Sequence, residues 1–209
     1  MVNRISISTK ISDARAHNYL HTLQTRFPES GLQAASLVQV YTVDARLSAA
    51  ELEKAAQRLT NPITERYVLG NILEPESYAF ALEIGYLPGV TDNVGRTAEE
   101  TIQDAIDRKF AEREHVYSSV ILFLEWNIQE SEIALFAREL HNPLIERVTI
   151  FSYERNEFPI GVPKVTLQKA AISVIDVDLN VSDEELTKIG KEGIKGSGGT
   201  RRGPLSLSL

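Results

Sequence analysis

His17 and His21 stand four residues apart, the spacing that places two imidazoles on one helical face as metal ligands. A metalloprotease would carry glutamate directly after the first histidine, where this chain has Asn18, and no third ligand accompanies the pair. The two histidines therefore read as a solvated helix face. Asp176, Asp178 and Asn180 begin like a calcium-binding loop, but Val181 replaces the glycine of the sharp turn and Thr187 stands in place of the bidentate glutamate. The glycine run Gly196 to Gly199 could cradle phosphate, yet it lacks a flanking strand and helix and the Gly-Lys-Ser/Thr ending, and reads as a flexible linker. Serine is plentiful without a nucleophile elbow, and there is no cysteine, which excludes thiolate nucleophiles, disulfides and zinc-thiolate sites. Arg96 and the pairs Glu65-Arg66 and Glu146-Arg147 read first as surface charge. The sequence thus assigns no catalytic, cofactor-binding or metal-binding residue.

The 209 residues are 43% hydrophobic and 24% charged, enough to bury a sizeable core. The expected chain is soluble, since no apolar run approaches the roughly 18 to 20 residues of a membrane span and the first ten residues do not form a signal peptide. Of the net charge of −7, Lys188 to Leu209 contributes +4 and the preceding residues −11. An acidic body repels nucleic acid, and the basic tail has no aromatic residue for base stacking, so neither nucleic acid nor membrane is an expected partner. The absence of cysteine is compatible with a reducing cytoplasm.

The elements follow from hydrophobic period and punctuation. Ile5 and Ile7 mark a strand, and a helix is predicted from about Asp13 to Phe27 with Ala16, Leu20 and Leu23 on one face. A strand over 35–43 leads to a capping box, Ser48 and Glu51, and a helix with Leu52, Ala55, Ala56 and Leu59 on its apolar face. Asn61-Pro62 stops it, and a strand follows from Ile63 to Leu69. The same order then recurs: a strand over 78–87, the Pro88-Gly89 loop, a helix reaching Phe110 with Thr97 and Glu100 at capping-box spacing, a strand over 117–126, a helix over 130–140, Asn142-Pro143, and a strand over 144–152.

This order predicts an internal duplication. Leu52, Ala55, Asn61, Pro62, Glu65 and Arg66 fall 81 residues before Ile133, Phe136, Asn142, Pro143, Glu146 and Arg147. Matching Ala16 to Ala98 gives an offset of 82 in the earlier helix, and matching Ile5 to Leu82 gives 77 in the first strand. The second copy should therefore carry about five extra residues in its Pro-Gly loop, where insertions are tolerated. The expected fold class is α+β, two strand-helix-strand-helix-strand units (about 1–72 and 77–153) in a two-layer packing. Each unit has one-sided helices and so a bare sheet face, and pseudo-twofold packing of the copies is the economical way to bury it. Residues 154–209 should form a linker region: a Pro- and Gly-containing stretch to Lys164, a β-rich run over 165–177, a helix capped by Ser182 and Glu185 to about Ile189, and a loose Gly-, Lys- and Arg-rich tail.

Three segments carry a family resemblance. LPGVTDNVGRTAEETI resembles the leucine-lysine-proline-glycine-valine segment of PurS, the small subunit of phosphoribosylformylglycinamidine synthase, and LHNPLIERV (Leu140 to Val148) resembles the family's leucine-x-asparagine-proline segment before the last strand. RRGPLSLSL resembles the linker that leads to the synthetase domain in the fused, large-type enzyme. The resemblance implies a cytoplasmic ligase of purine synthesis that uses ATP, magnesium and glutamine-derived ammonia to convert formylglycinamide ribonucleotide into formylglycinamidine ribonucleotide. It implies that these residues are scaffold: inactive alone, binding no cofactor, and partnered by the synthetase and glutaminase parts of the same enzyme. Pro88, Gly89, Arg96, Arg201, Arg202, Leu205 and Leu207 are the interface residues this suggests. The rival expectation is a stand-alone duplicated module with a small-ligand groove between its copies.

Overall fold

The computed structural model describes residues 2–125, 130–155, 157–164 and 179–194. The chain divides into two compact units, Met1–Val165 and Thr166–Leu209. The first is a mixed α+β unit whose elements run β1 (Asn3–Thr9), α1 (Ala14–Arg26), β2 (Ala35–Asp44), α2 (Ala49–Leu59), β3 (Glu65–Leu69), β4 (Phe80–Tyr86), α3 (Asn93–Ile106), β5 (His115–Leu124), α4 (Glu130–Leu140) and β6 (Glu146–Ser152). In the second, α5 (Asp183–Glu192) starts at Ser182, whose hydroxyl accepts the Glu185 N–H as expected, and runs past Ile189.

Six antiparallel strands make one sheet in the order β3-β1-β2-β5-β4-β6. Strand alternation sends Ile5, Ile7 and Val43 to one face, where Ala55 and Ala56 of α2 and Ala98 and Ile102 of α3 cover them. On the same face Leu82, Leu122 and Leu124 pack against Leu23 of α1 and Phe136 of α4. Each helix buries one stripe: Ala16 and Leu23 of α1, Gly95, Ala98 and Ile102 of α3.

The opposite face is closed by chain segments rather than by another helix layer. Val38, Val40, Ala81, Ile121, Phe123 and Phe151 are covered by Ile72, Leu73 and Tyr78 from the β3–β4 connection and by Phe158 from the stretch after β6. Arg4 is 1% exposed on this face, and its guanidinium donates to the carbonyls of Phe158 (2.8 Å) and Pro159 (2.9 Å). Ser6 donates to the Asn71 carbonyl at 2.8 Å, and Ser119 donates to the buried Glu83 carboxylate at 2.8 Å. Burial lowers the Arg4 pKa, and the Glu83 charge works against that shift. The stretch expected as a linker, up to Lys164, is therefore bound to the sheet, and Lys164 forms an ion pair with Asp44.

Several boundaries differ from expectation. Helix α3 starts five residues earlier than the Thr97–Glu100 spacing predicts, because Asp92 is its N-cap. Thr97 instead donates to the Asn93 carbonyl and Glu100 pairs with Arg96 on the helix surface. The helix ends at Ile106 rather than Phe110, where Asp107 takes a left-handed conformation at φ 51°. Strand β3 starts at Glu65 rather than Ile63, since the turn at Asn61-Pro62 holds Ile63 outside the sheet. The β-rich run over 165–177 and the glycine run lie outside the described residues. Among the described residues no helix is long and apolar enough to cross a membrane.

Candidate functional site

The Pro-Gly segment and the start of α3 build the site. Leu87, Pro88, Gly89 and Val90 form a turn closed by Val90 N–H to Leu87 O at 3.1 Å, with Pro88 exposed at its tip and Gly89 at φ 87°. Proline presets the second turn residue and glycine supplies the positive φ at the third, which is why this pair is found here. The Leu87 N–H donates to the Ile145 carbonyl at 2.9 Å, so the loop hangs from the turn that precedes β6.

Asp92 then fixes the helix to the sheet. Its carboxylate accepts the Gly95 N–H at 2.7 Å, the Ser118 N–H at 2.5 Å and the Ser118 hydroxyl at 2.8 Å. Gly95 is buried, and a Cβ on it would stand 2.5 Å from Asp92 Oδ2 and 2.6 Å from the Val116 carbonyl oxygen. Only glycine lets the first turn of α3 lie this close to β5. One turn on, Glu99 accepts the Val116 N–H at 3.2 Å and lies 3.4 Å from His115 Nδ1.

These elements enclose a cleft of about 700 Å³ lined by Gly89, Asp92, Arg96, Glu99, Arg113 and Lys164, among others. Its charges are balanced. The Asp44 carboxylate raises the Lys164 pKa, and Arg96 is paired with Glu100 at 3.4 Å. Arg113 forms no ion pair among the described residues. The Tyr117 phenol is pushed up, chiefly by burial. Both Asp92 oxygens and one Glu99 oxygen accept from backbone N–H groups, which sets a carboxylate-pinned wall behind the charged side chains of the cleft. The arrangement presents both signs of charge and suits recognition of a polar surface.

Of the suggested interface residues, Gly89 and Arg96 line this cleft and Pro88 caps the adjoining turn, whereas Arg201, Arg202, Leu205 and Leu207 lie outside the described residues. His17 and His21 are exposed on α1, and among the described residues no group of three His, Cys, Asp or Glu could hold a metal ion. Asp92, Gly95, Glu99 and Ser118 were not singled out by the sequence reading. Asp92 immediately before a helical run was the available signal, and the Thr97–Glu100 spacing competed with it. No protein-family model matches the sequence, and no curated protein matches it.

Proposed function

We propose that the chain is the duplicated, PurS-like N-terminal scaffold of a large-type phosphoribosylformylglycinamidine synthase together with its linker region. The observation that carries this reading is the sheet register. The pairs Ile5 with Tyr41 and Ile5 with Leu69 correspond to Leu82 with Leu122 and Leu82 with Ile150, at constant offsets of 77 for the first strand and 81 for the others. At the join, Gln39 pairs with Val120, which is itself 81 residues later, as a twofold axis between β2 and β5 requires. The turns agree as well. Asn61 and Asn142 each donate their backbone N–H to a carboxylate four residues on (Glu65, Glu146), both at 2.7 Å, and their side chains accept from the N–H groups of Ile63 and Leu144. Aligning the caps Asp13 and Asp92 moves the helix offset from 82 to 79, so the Pro-Gly loop carries two extra residues rather than five.

On this reading two single-copy units have been fused edge to edge, and the motif that resembles PurS survives in the second. The chain's role is to hold the synthetase and glutaminase parts together, while ATP, magnesium and ammonia chemistry belong to those parts. The test uses a synthetase–glutaminase protein lacking this region, to which the 209-residue chain is added. Glutamine-dependent amidine formation should rise with added chain, and the chain alone should form none. An unchanged rate together with no co-elution of the two proteins overturns the proposal.

A further inference from the structure

Among the described residues, strands β3 and β6 are the two edges of the sheet. Gly70 N–H donates to Arg4 O at 2.8 Å beside β3, and Tyr153 N–H donates to Ala79 O at 3.1 Å beside β6. Antiparallel alternation then turns the backbone groups of Tyr67 and Leu69 outward on one edge, and those of Val148, Ile150 and Ser152 outward on the other. The flanks differ. On the first edge the Tyr67 hydroxyl donates to Glu53 of α2, so a ring and a carboxylate bridge helix and strand. The residues 81 positions later are Val148 and Ala134, smaller by a phenol and a carboxyl group. A cleft of about 1000 Å³ lies there, lined by Phe80, Ile133, Ala134, Ile150, Phe151 and Phe158, with Ile150 40% exposed. Glu154 and Glu157 stand exposed at its rim, and neither forms an ion pair among the described residues.

We propose that this cleft takes an extended segment of a partner protein, added to β6 as a seventh strand. An apolar side chain of that segment enters the hollow beside Ala134 and Ile150, and a lysine or arginine lies against Glu154 and Glu157. Main-chain bonds to an open edge supply affinity and the side-chain hollow supplies selectivity, which is how sheet edges recognise peptides. The rim decides the charge of the occupant: two unpaired carboxylates beside phenyl rings favour a cation both by Coulomb attraction and by the ring faces. Strand β6, ERVTIFS, contains neither the proline nor the lysine that commonly protects an edge. The cleft makes this case whichever assembly the chain serves.

The test titrates the full chain into a fluorescein-labelled decapeptide of alternating valine and threonine with one central arginine, read by anisotropy, beside the same peptide with glutamate at that place. The arginine peptide should bind more tightly by about tenfold or more, weaken with salt, and slow amide exchange at Ile150 and Ser152. Ala134→Glu combined with Val148→Tyr, which rebuilds the first edge's bridge, should abolish binding. Should that variant not fold, Glu154→Lys with Glu157→Lys, both on exposed positions, should reverse the preference between the two peptides. Equal affinity for both peptides, protection at Tyr67 and Leu69 instead, no saturable binding up to about 1 mM, or self-association that closes the β6 edge would each overturn the proposal.

Discussion

Helices α1 and α3 occupy corresponding places in the first and second halves of the sheet, and both begin at an aspartate, yet the two aspartates act differently. Asp13 accepts the Arg15 N–H at 2.8 Å and pairs with the Arg15 guanidinium at 3.2 Å, all within its own turn. Asp92 reaches across to Ser118 of β5. The third residue after each cap is buried, alanine in the first half and glycine in the second. One helix start is a local cap resting on the sheet, and the other is riveted to it. Capping chemistry that looks alike in sequence can therefore be a local or a tertiary device, and the partner strand decides which.

The largest effects should come from the residues that the proposed duplication makes equivalent. Leu23 and Ile102 are both 0% exposed at the same distance from their caps, so Leu23→Ala and Ile102→Ala should each cost about 2–5 kcal/mol in urea unfolding. A loss below about 1 kcal/mol at either site breaks the equivalence of the two helices. Next, Gly95→Val forces its side chain against Asp92 and the Val116 carbonyl and should lose about 3 kcal/mol, whereas Ala16→Val, which adds to an existing side chain, should lose about 1 kcal/mol. Equal losses would mean that α3 shifts freely on β5.

Asp92→Ala should cost about 2 kcal/mol, because it removes a cap and leaves the Ser118 N–H unsatisfied, and Asp13→Ala should cost about 1 kcal/mol; denaturant midpoints compare them. The smallest contrast is in pH. Backbone N–H groups of Arg46 and Ala111, then Arg108, hold the Glu114 carboxyl below its ordinary range. A lowered folded pKa gives stability that is present above the unfolded value of about 4.3 and is lost as pH falls through the lower folded value. Position 33, which is 81 residues earlier, is glutamine and has no such dependence. Carboxyl NMR titration should place Glu114 below a free glutamate, and Glu114→Gln should flatten the acid limb of the stability curve; an ordinary Glu114 titration defeats this expectation.

Much of the architecture was legible because it rests on local periodicity. Ile5 and Ile7 on β1, Ser48 and Glu51 at the start of α2, and the Asn-Pro stops all encode their own conformation, and the α2 capping box forms with both of its bonds. What was not legible depends on residues distant in the chain. Arg4 and Ser6 alternate with apolar residues and so look solvent-facing, yet both are buried, because the segments at 70–79 and 157–164 cross that face. Likewise the bare sheet face expected of each unit is covered by these straps, and no local pattern announces a strap. In the cleft, Gly89 and Arg96 lie on or just after the Pro-Gly motif that stands out in the sequence, whereas Asp92 and Gly95 acquire their roles only when β5 lies beneath them.

The grip of Arg4 on the carbonyls of Phe158 and Pro159 brings the beginning of the first unit and its last described stretch within one side chain's length of each other. A unit whose ends adjoin can be spliced into a surface loop of a host protein without prising that loop apart, because the host sees only a short gap to bridge. The same adjacency permits the ends to be sealed by a short peptide and new termini opened elsewhere, for example at the exposed Asn61-Pro62 or Asn142-Pro143 turn. Such a permuted chain would keep all six strands in place while changing which one is made first.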